Sequence, residues 1–211
     1  MSKLTQPNPD EESPVTSYSD NLLLAQIQQG DEQSFELVFH QHYDRVYGIL
    51  YRLVGNRAEA EDLVQEVFIK LHDYAYRKRY FALNQAQTPE HNLGAWLYRT
   101  ATNMGLNAIR SRKRRWQRDV LLAPDPNGAP GPALLLEQAE QAVAVRAALA
   151  QLSKRQAQLL ILRQMEFSYA ECAAICHVAP GSVGTLLARA AAAFKQAYEL
   201  EINRNGVRQG P

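Results

Sequence analysis

No run of about 18 consecutive apolar residues occurs anywhere in the 211-residue chain, so no membrane-spanning helix is expected. Cysteine is scarce. Cys172 and Cys176 lie four apart within one expected helix, which argues against a disulfide framework and for free thiols in the cytoplasm. Alternating apolar–polar strand patterns are missing, as are a nucleophile–base constellation and a phosphate-cradling glycine loop, so nothing points to an enzyme. Cys172, Cys176 and His177 lack a fourth metal ligand, and two of the three fall at helix-core positions; His40 and His42 have no further ligand nearby. No metal and no cofactor are expected. An excess of charge is lacking too: the formal net charge is +1. The total therefore says nothing about partners, but the distribution does.

Apolar residues recur with helical spacing almost throughout, which predicts an all-α protein. A polar lead-in with three prolines, residues 1–19, has no signal-peptide core and reads as disordered. A short helix then runs from Asp20 to a stop at Gly30, and a second from Glu32 to Val54, ended by Gly55-Asn56. Asn56 with Glu59 opens a third helix, placed to about Asp73 or a little beyond, before a looser stretch from Tyr74 to Leu93. A fourth helix begins near Gly94. Four prolines and two glycines between Ala123 and Pro132 exclude helix and strand, so residues 119–133 form the linker between two small helical domains, 20–118 and 134–201. Residues 202–211 are left as a tail. In the second domain Ser153 with Gln156, and Ser168 with Glu171, are capping boxes that open two further helices.

Two segments differ sharply in charge. Arg57 to Asp73 carries five acids against two bases, whereas Arg99 to Arg118 holds seven Lys/Arg and no acid. At 100° per residue the third helix puts Leu63, Val64, Val67, Phe68 and Leu71 on one side and Asp62, Gln65, Glu66 and Ile69 on the other. An isoleucine among carboxylates is either a stray apolar residue on a solvated face or the centre of a contact patch. On the fourth helix Leu97, Ala101, Met104 and Ala108 form the core stripe, with Trp96, Arg99, Asn103, Asn107 and Arg110 roughly opposite. Guanidiniums hold phosphates or stack on bases, amides read base edges and an indole stacks, so the stripe suits single-stranded DNA. Trp96 fits the core equally well. The following Arg112, Lys113, Arg114 and Arg115 form a sequence-independent phosphate clamp.

The segment from Ser168 to Arg189 has the layout of a helix-turn-helix. Ala173 is small at the crossing, Val178 and Val183 are placed to pack between the helices, and Pro180 is set in the first turn of the second helix. Ser182, Thr185 and Arg189 are its candidate DNA contacts. Its charge is low: Gly184, Leu186 and the run Ala190 to Ala193 leave Thr185, Arg189 and Lys195 as the evident ones.

Taken together, Ala58 to Leu71 closely resembles the sigma region 2 helix that docks on the clamp coiled coil of RNA polymerase's largest subunit. Gly94 to Asn103 with the basic run resembles the segment that captures and melts the minus-ten element. Leu149 to Arg189 is similar to sigma region 4, which reads the minus-thirty-five element. The chain is identified as resembling a bacterial extracytoplasmic-function (ECF) sigma factor from about Asp20 to Ala197. The resemblance implies a non-catalytic protein that directs transcription initiation and is a monomer when free. It implies core polymerase as a partner, through the clamp coiled coil and the flap region, together with promoter DNA and room for an anti-sigma factor. It makes Asp62, Gln65, Glu66 and Ile69 the polymerase contact, and Arg99 and Asn103 contacts to unpaired DNA. The charge-poor second helix leaves an alternative open, a C-terminal domain that holds a protein rather than DNA.

Overall fold

The computed structural model describes residues 20–81, 92–119 and 133–206. Among these the chain is helical, with no strand: α1 (Asp20–Gln29), α2 (Glu32–Val54), α3 (Arg57–Phe81), α4 (Leu93–Asp119), α5 (Ala133–Gln151), α6 (Lys154–Gln164), α7 (Tyr169–Cys176), a short 3₁₀ turn (Pro180–Ser182) and α8 (Val183–Gly206). The lead-in 1–19 and the linker residues 120–132 lie outside the described residues.

Local chemistry sets most of the boundaries. Gly30 and Gly55 end α1 and α2 at positive φ, 95° and 69°, where a side chain would be strained. Asp31 caps α2 by accepting the Gln33 N–H at 3.1 Å, and Asn56 caps α3 by accepting the Glu59 N–H at 3.0 Å. Ser153 and Ser168 form the two full capping boxes expected of them. Three boundaries differ from the sequence reading. α3 continues through Phe81 rather than ending near Asp73, since no glycine or proline interrupts it there. Pro180 sits in the 3₁₀ turn, one step before α8. α8 itself runs on to Gly206, past the limit expected at 201, with Glu201 8% exposed near its end.

α1 to α4 form the first unit, around Leu23, Ile49, Leu50, Leu53, Val67, Leu71, Leu97 and Leu106. Each such fully buried side chain contributes about 2 kcal/mol of transfer free energy. α4 crosses α2 closely because residue 105 is glycine: a Cβ there would stand 2.6 Å from Leu53 Cδ1. The second unit packs α5 to α8 around Leu149, Leu159, Leu162, Ile175 and Val183, and the α7–α8 pair turns through 106° as a helix-turn-helix does. Val183 is fully buried between its helices and Val178 half-buried against them. No single helix among the described residues is long and apolar enough to cross a membrane.

The two units are not independent beads. α4 is gripped from both sides, by α2 and α3 on one and by α5, α6 and α7 on the other. Leu97 and Ala101 of the expected stripe are buried, but so are Ala95, Tyr98, Thr102, Leu106 and Ile109, which a single stripe does not include.

Candidate polymerase and promoter interfaces

α3 buries Val64, Val67, Phe68 and Leu71 and turns Asp62, Gln65, Glu66 and Ile69 outward together. Ile69 is 58% exposed, and Glu66 pairs along the helix with Lys70 at 2.9 Å. Exposed pairs of this kind contribute little to stability. The patch is therefore a preformed, mainly acidic surface with one apolar centre, available to a partner.

The start of α4 is fixed by residues far away in sequence. Asn92 accepts the Ala95 N–H at 2.8 Å, and Asp20 of α1 accepts the Gly94 N–H at 3.0 Å. Asp20 also faces His42 Nε2 at 3.3 Å, while His42 Nδ1 meets the Tyr98 hydroxyl at 2.7 Å. The hydrogen bond to His42 is the chief influence that lowers the Asp20 pKa, and the Gly94 N–H adds to it. Burial raises that of the Tyr98 phenol.

Further along α4 the expected DNA stripe divides. Trp96 is half-buried and packs on Tyr74 of α3, ring centroids 5.7 Å apart, so its indole serves the core side. Arg99 meets the His177 ring of the helix-turn-helix. Asn103 Oδ1 accepts the Gln158 amide at 2.9 Å, and the same amide donates to Thr102 at 3.0 Å. Asn107 faces solvent. Arg110 donates to the carbonyls of Ala150 (3.4 Å) and Leu152 (2.8 Å) at the end of α5. In the basic run, Arg112 donates to the Val54 carbonyl at 3.0 Å and pairs with Glu59 of α3. Lys113 donates to the Ala147 carbonyl at 3.3 Å and to Glu201 at 2.8 Å. Arg114 and Arg115 are exposed.

On the helix-turn-helix, Ser182 is half-buried and its hydroxyl donates to the Ala179 carbonyl at 2.7 Å, while Thr185, Arg189 and Lys195 are exposed. Lys154 and Arg155, in the first turn of α6, are exposed too. Arg155 shares a cleft with Arg189, so the basic character missing from α8 is partly restored from α6. The sequence reading missed both; their sign was two cations directly after the Ser153 cap. It missed Gln158 and Glu201 as well, buried polar residues in otherwise apolar surroundings. Cys172 and Cys176 lie in the interior, and burial pushes the Cys176 thiol up to about 12. Among the described residues no cluster of three His, Cys, Asp or Glu could hold a metal ion.

Comparison with known proteins fits this arrangement. Residues 38–115 match sigma-70 region 2, and residues 142–194 match sigma-70 region 4. The sigma-H factor of Pseudomonas aeruginosa is 29% identical over 88% of this chain and 96% of that protein. The ECF sigma factor SigM of Mycobacterium tuberculosis is 31% identical, with 82% of each chain covered. The structure of CnrH in complex with the cytosolic domain of CnrY shares the fold, with a TM-score of 0.53 at 18% identity over 87% of this chain and 99% of that one. Two helical units matching regions 2 and 4, in that order, define a sigma-type protein. The chain belongs to the ECF family of RNA polymerase sigma factors.

Proposed function

We propose that the chain binds core RNA polymerase through the Asp62, Gln65, Glu66 and Ile69 face of α3 and directs promoter-specific initiation from the cytoplasm. The observation that carries this reading is the α3 surface itself, four outward-facing residues with an exposed isoleucine among them in a region 2 match. In this reading the clamp coiled coil of the largest subunit takes that face, and the flap region takes the second unit. Arg99, Asn103, Asn107 and Arg110 of α4 hold the unpaired minus-ten strand, and Lys113, Arg114 and Arg115 hold its phosphates. Trp96 supports α4 from the core side. Arg189, Thr185 and Arg155 are the contacts to the minus-thirty-five element, and few charges there mean weak phosphate binding. The role is regulatory, with no catalytic step, and an anti-sigma factor is a natural further partner.

A second reading, that the helix-turn-helix holds a regulator protein, is favoured by the exposed Tyr169 and the alanine-rich flank of α8. Run-off transcription with purified core polymerase on genomic promoter fragments separates the two. Promoter-specific transcripts support the first reading. Core binding without transcripts supports the second.

A further inference from the structure

A cleft of about 220 Å³ opens where α4, α5 and α8 meet, lined by none of the residues of the α3 patch or of the helix-turn-helix contacts. Ile109 and Ala144 form its buried floor, and Val143, 55% exposed, stands at its lip. Four cations, Arg112, Lys113, Arg146 and Arg204, line it against a single carboxylate, Glu201. Two of the four are satisfied. Arg112 is held by Glu59 and the Val54 carbonyl, and Lys113 by Glu201 and the Ala147 carbonyl. Arg204 faces water. Arg146 differs from all three, because it is half-buried and no group among the described residues accepts a hydrogen bond from it. Its guanidinium reaches the bare backbone of Gly55, where an added Cβ would stand 2.5 Å from Nη1. Burial, and after it the like charge of Arg112 close by, lower the Arg146 pKa. A half-buried cation beside another cation, with no anion of its own, is costly to hold. A carboxylate relieves that cost by accepting two parallel N–H bonds from the guanidinium.

We propose that this cleft binds a small anionic amphiphile, a straight-chain carboxylate whose head pairs with Arg146 and whose alkyl chain lies on Ile109, Val143 and Ala144. The unpaired guanidinium selects an anion for the head, and the apolar floor selects a hydrocarbon for the tail. The volume falls below the roughly 300 Å³ at which sites begin to enclose drug-sized ligands, so a single short chain fits and a fused ring system does not. Three helices line the cleft, so a bound ligand stabilises the fold that holds them together. The site is independent of the polymerase and promoter assignments.

Isothermal titration of the full chain with sodium decanoate tests the proposal, with thermal melting as a second readout. The expected result is one site per chain, a dissociation constant on the order of 0.1 mM, and a melting temperature that rises with ligand concentration. Going from decanoate to octanoate to hexanoate should weaken binding by about fourfold for each methylene removed. Inorganic phosphate, a charge without a chain, should bind at least about tenfold more weakly than decanoate. Octanol, a chain without a charge, should bind at least about tenfold more weakly than octanoate. Arg146→Met should cost about tenfold or more in decanoate affinity. Val143→Asp sets a like charge at the exposed lip and should cost about threefold or more; it decides the matter if Arg146→Met does not fold. A titration without saturation by about 2 mM overturns the site. Phosphate binding as tight as decanoate binding overturns the amphiphile, and unchanged affinity in both variants overturns the assignment of the ligand to this cleft.

Discussion

Lys113 and Glu201, 88 residues apart in the chain, form a 2.8 Å ion pair whose side chains are only 19% and 11% exposed. Gln151 donates to the same carboxylate at 2.7 Å, so the glutamate ties α4, α5 and α8 together. Little solvent reaches this pair, and removing one member strands the other's charge. Glu201→Ala is expected to cost about 1–3 kcal/mol in urea unfolding. A double-mutant cycle with Lys113→Met should show coupling of about 1 kcal/mol or more; additive effects would mean that the pair is not made in solution.

Reversing charge on α3 should act on partner binding alone. Asp62→Arg with Glu66→Arg is expected to weaken core polymerase binding at least about tenfold in a competition assay, since like charges would now face the former complement. Because both positions are exposed, unfolding free energy should move by no more than about 0.5 kcal/mol each. Unchanged polymerase affinity would remove the α3 patch from the interface.

Asp20 gives the fold a defined acid sensitivity. Its folded-state pKa lies below the ordinary value of 3.8, chiefly because of the His42 hydrogen bond. Its stabilising contribution is therefore present above pH 3.8 and is lost as pH falls through the lowered folded value. Asp20→Asn should reduce stability at neutral pH and flatten this part of the acid profile. An unaltered profile, followed by circular dichroism, would show that the Asp20–His42 contact does not form.

The two thiols should be silent until the helix-turn-helix opens. Burial raises both Cys172 and Cys176, the latter to about 12, so at pH 8 the unreactive thiol form predominates in both. Neither should react with an aromatic disulfide reagent on the timescale of minutes in the folded chain, and both should react at once in denaturant. Prompt reaction of the folded protein would contradict the packing of α7.

Much of this fold is legible in sequence because its boundaries are local. Asn56, Ser153 and Ser168 act on residues three positions away, and Gly30 and Gly55 act on their own φ. The end of α3 is not legible in the same way, because tyrosines and basic residues after Asp73 suit helix and loop alike. The α4 site shows a deeper limit. Periodicity reports one buried stripe, but α4 has a second covered side built from Arg, Asn and Lys, the residue types that otherwise mark solvent or nucleic acid. Their partners, Gln158 and Glu201, lie 55 and 88 residues downstream of Asn103 and Lys113, and no local pattern announces them.

One consequence concerns α8 as a rigid rod. Thr185 and Arg189 stand near its beginning and Glu201 near its end, about 24 Å along a single uninterrupted helix from Thr185. A force applied at one end is felt at the other without any hinge to absorb it. Any displacement of α8 at its Thr185 end therefore moves Glu201 as well, and with it the contact to Lys113.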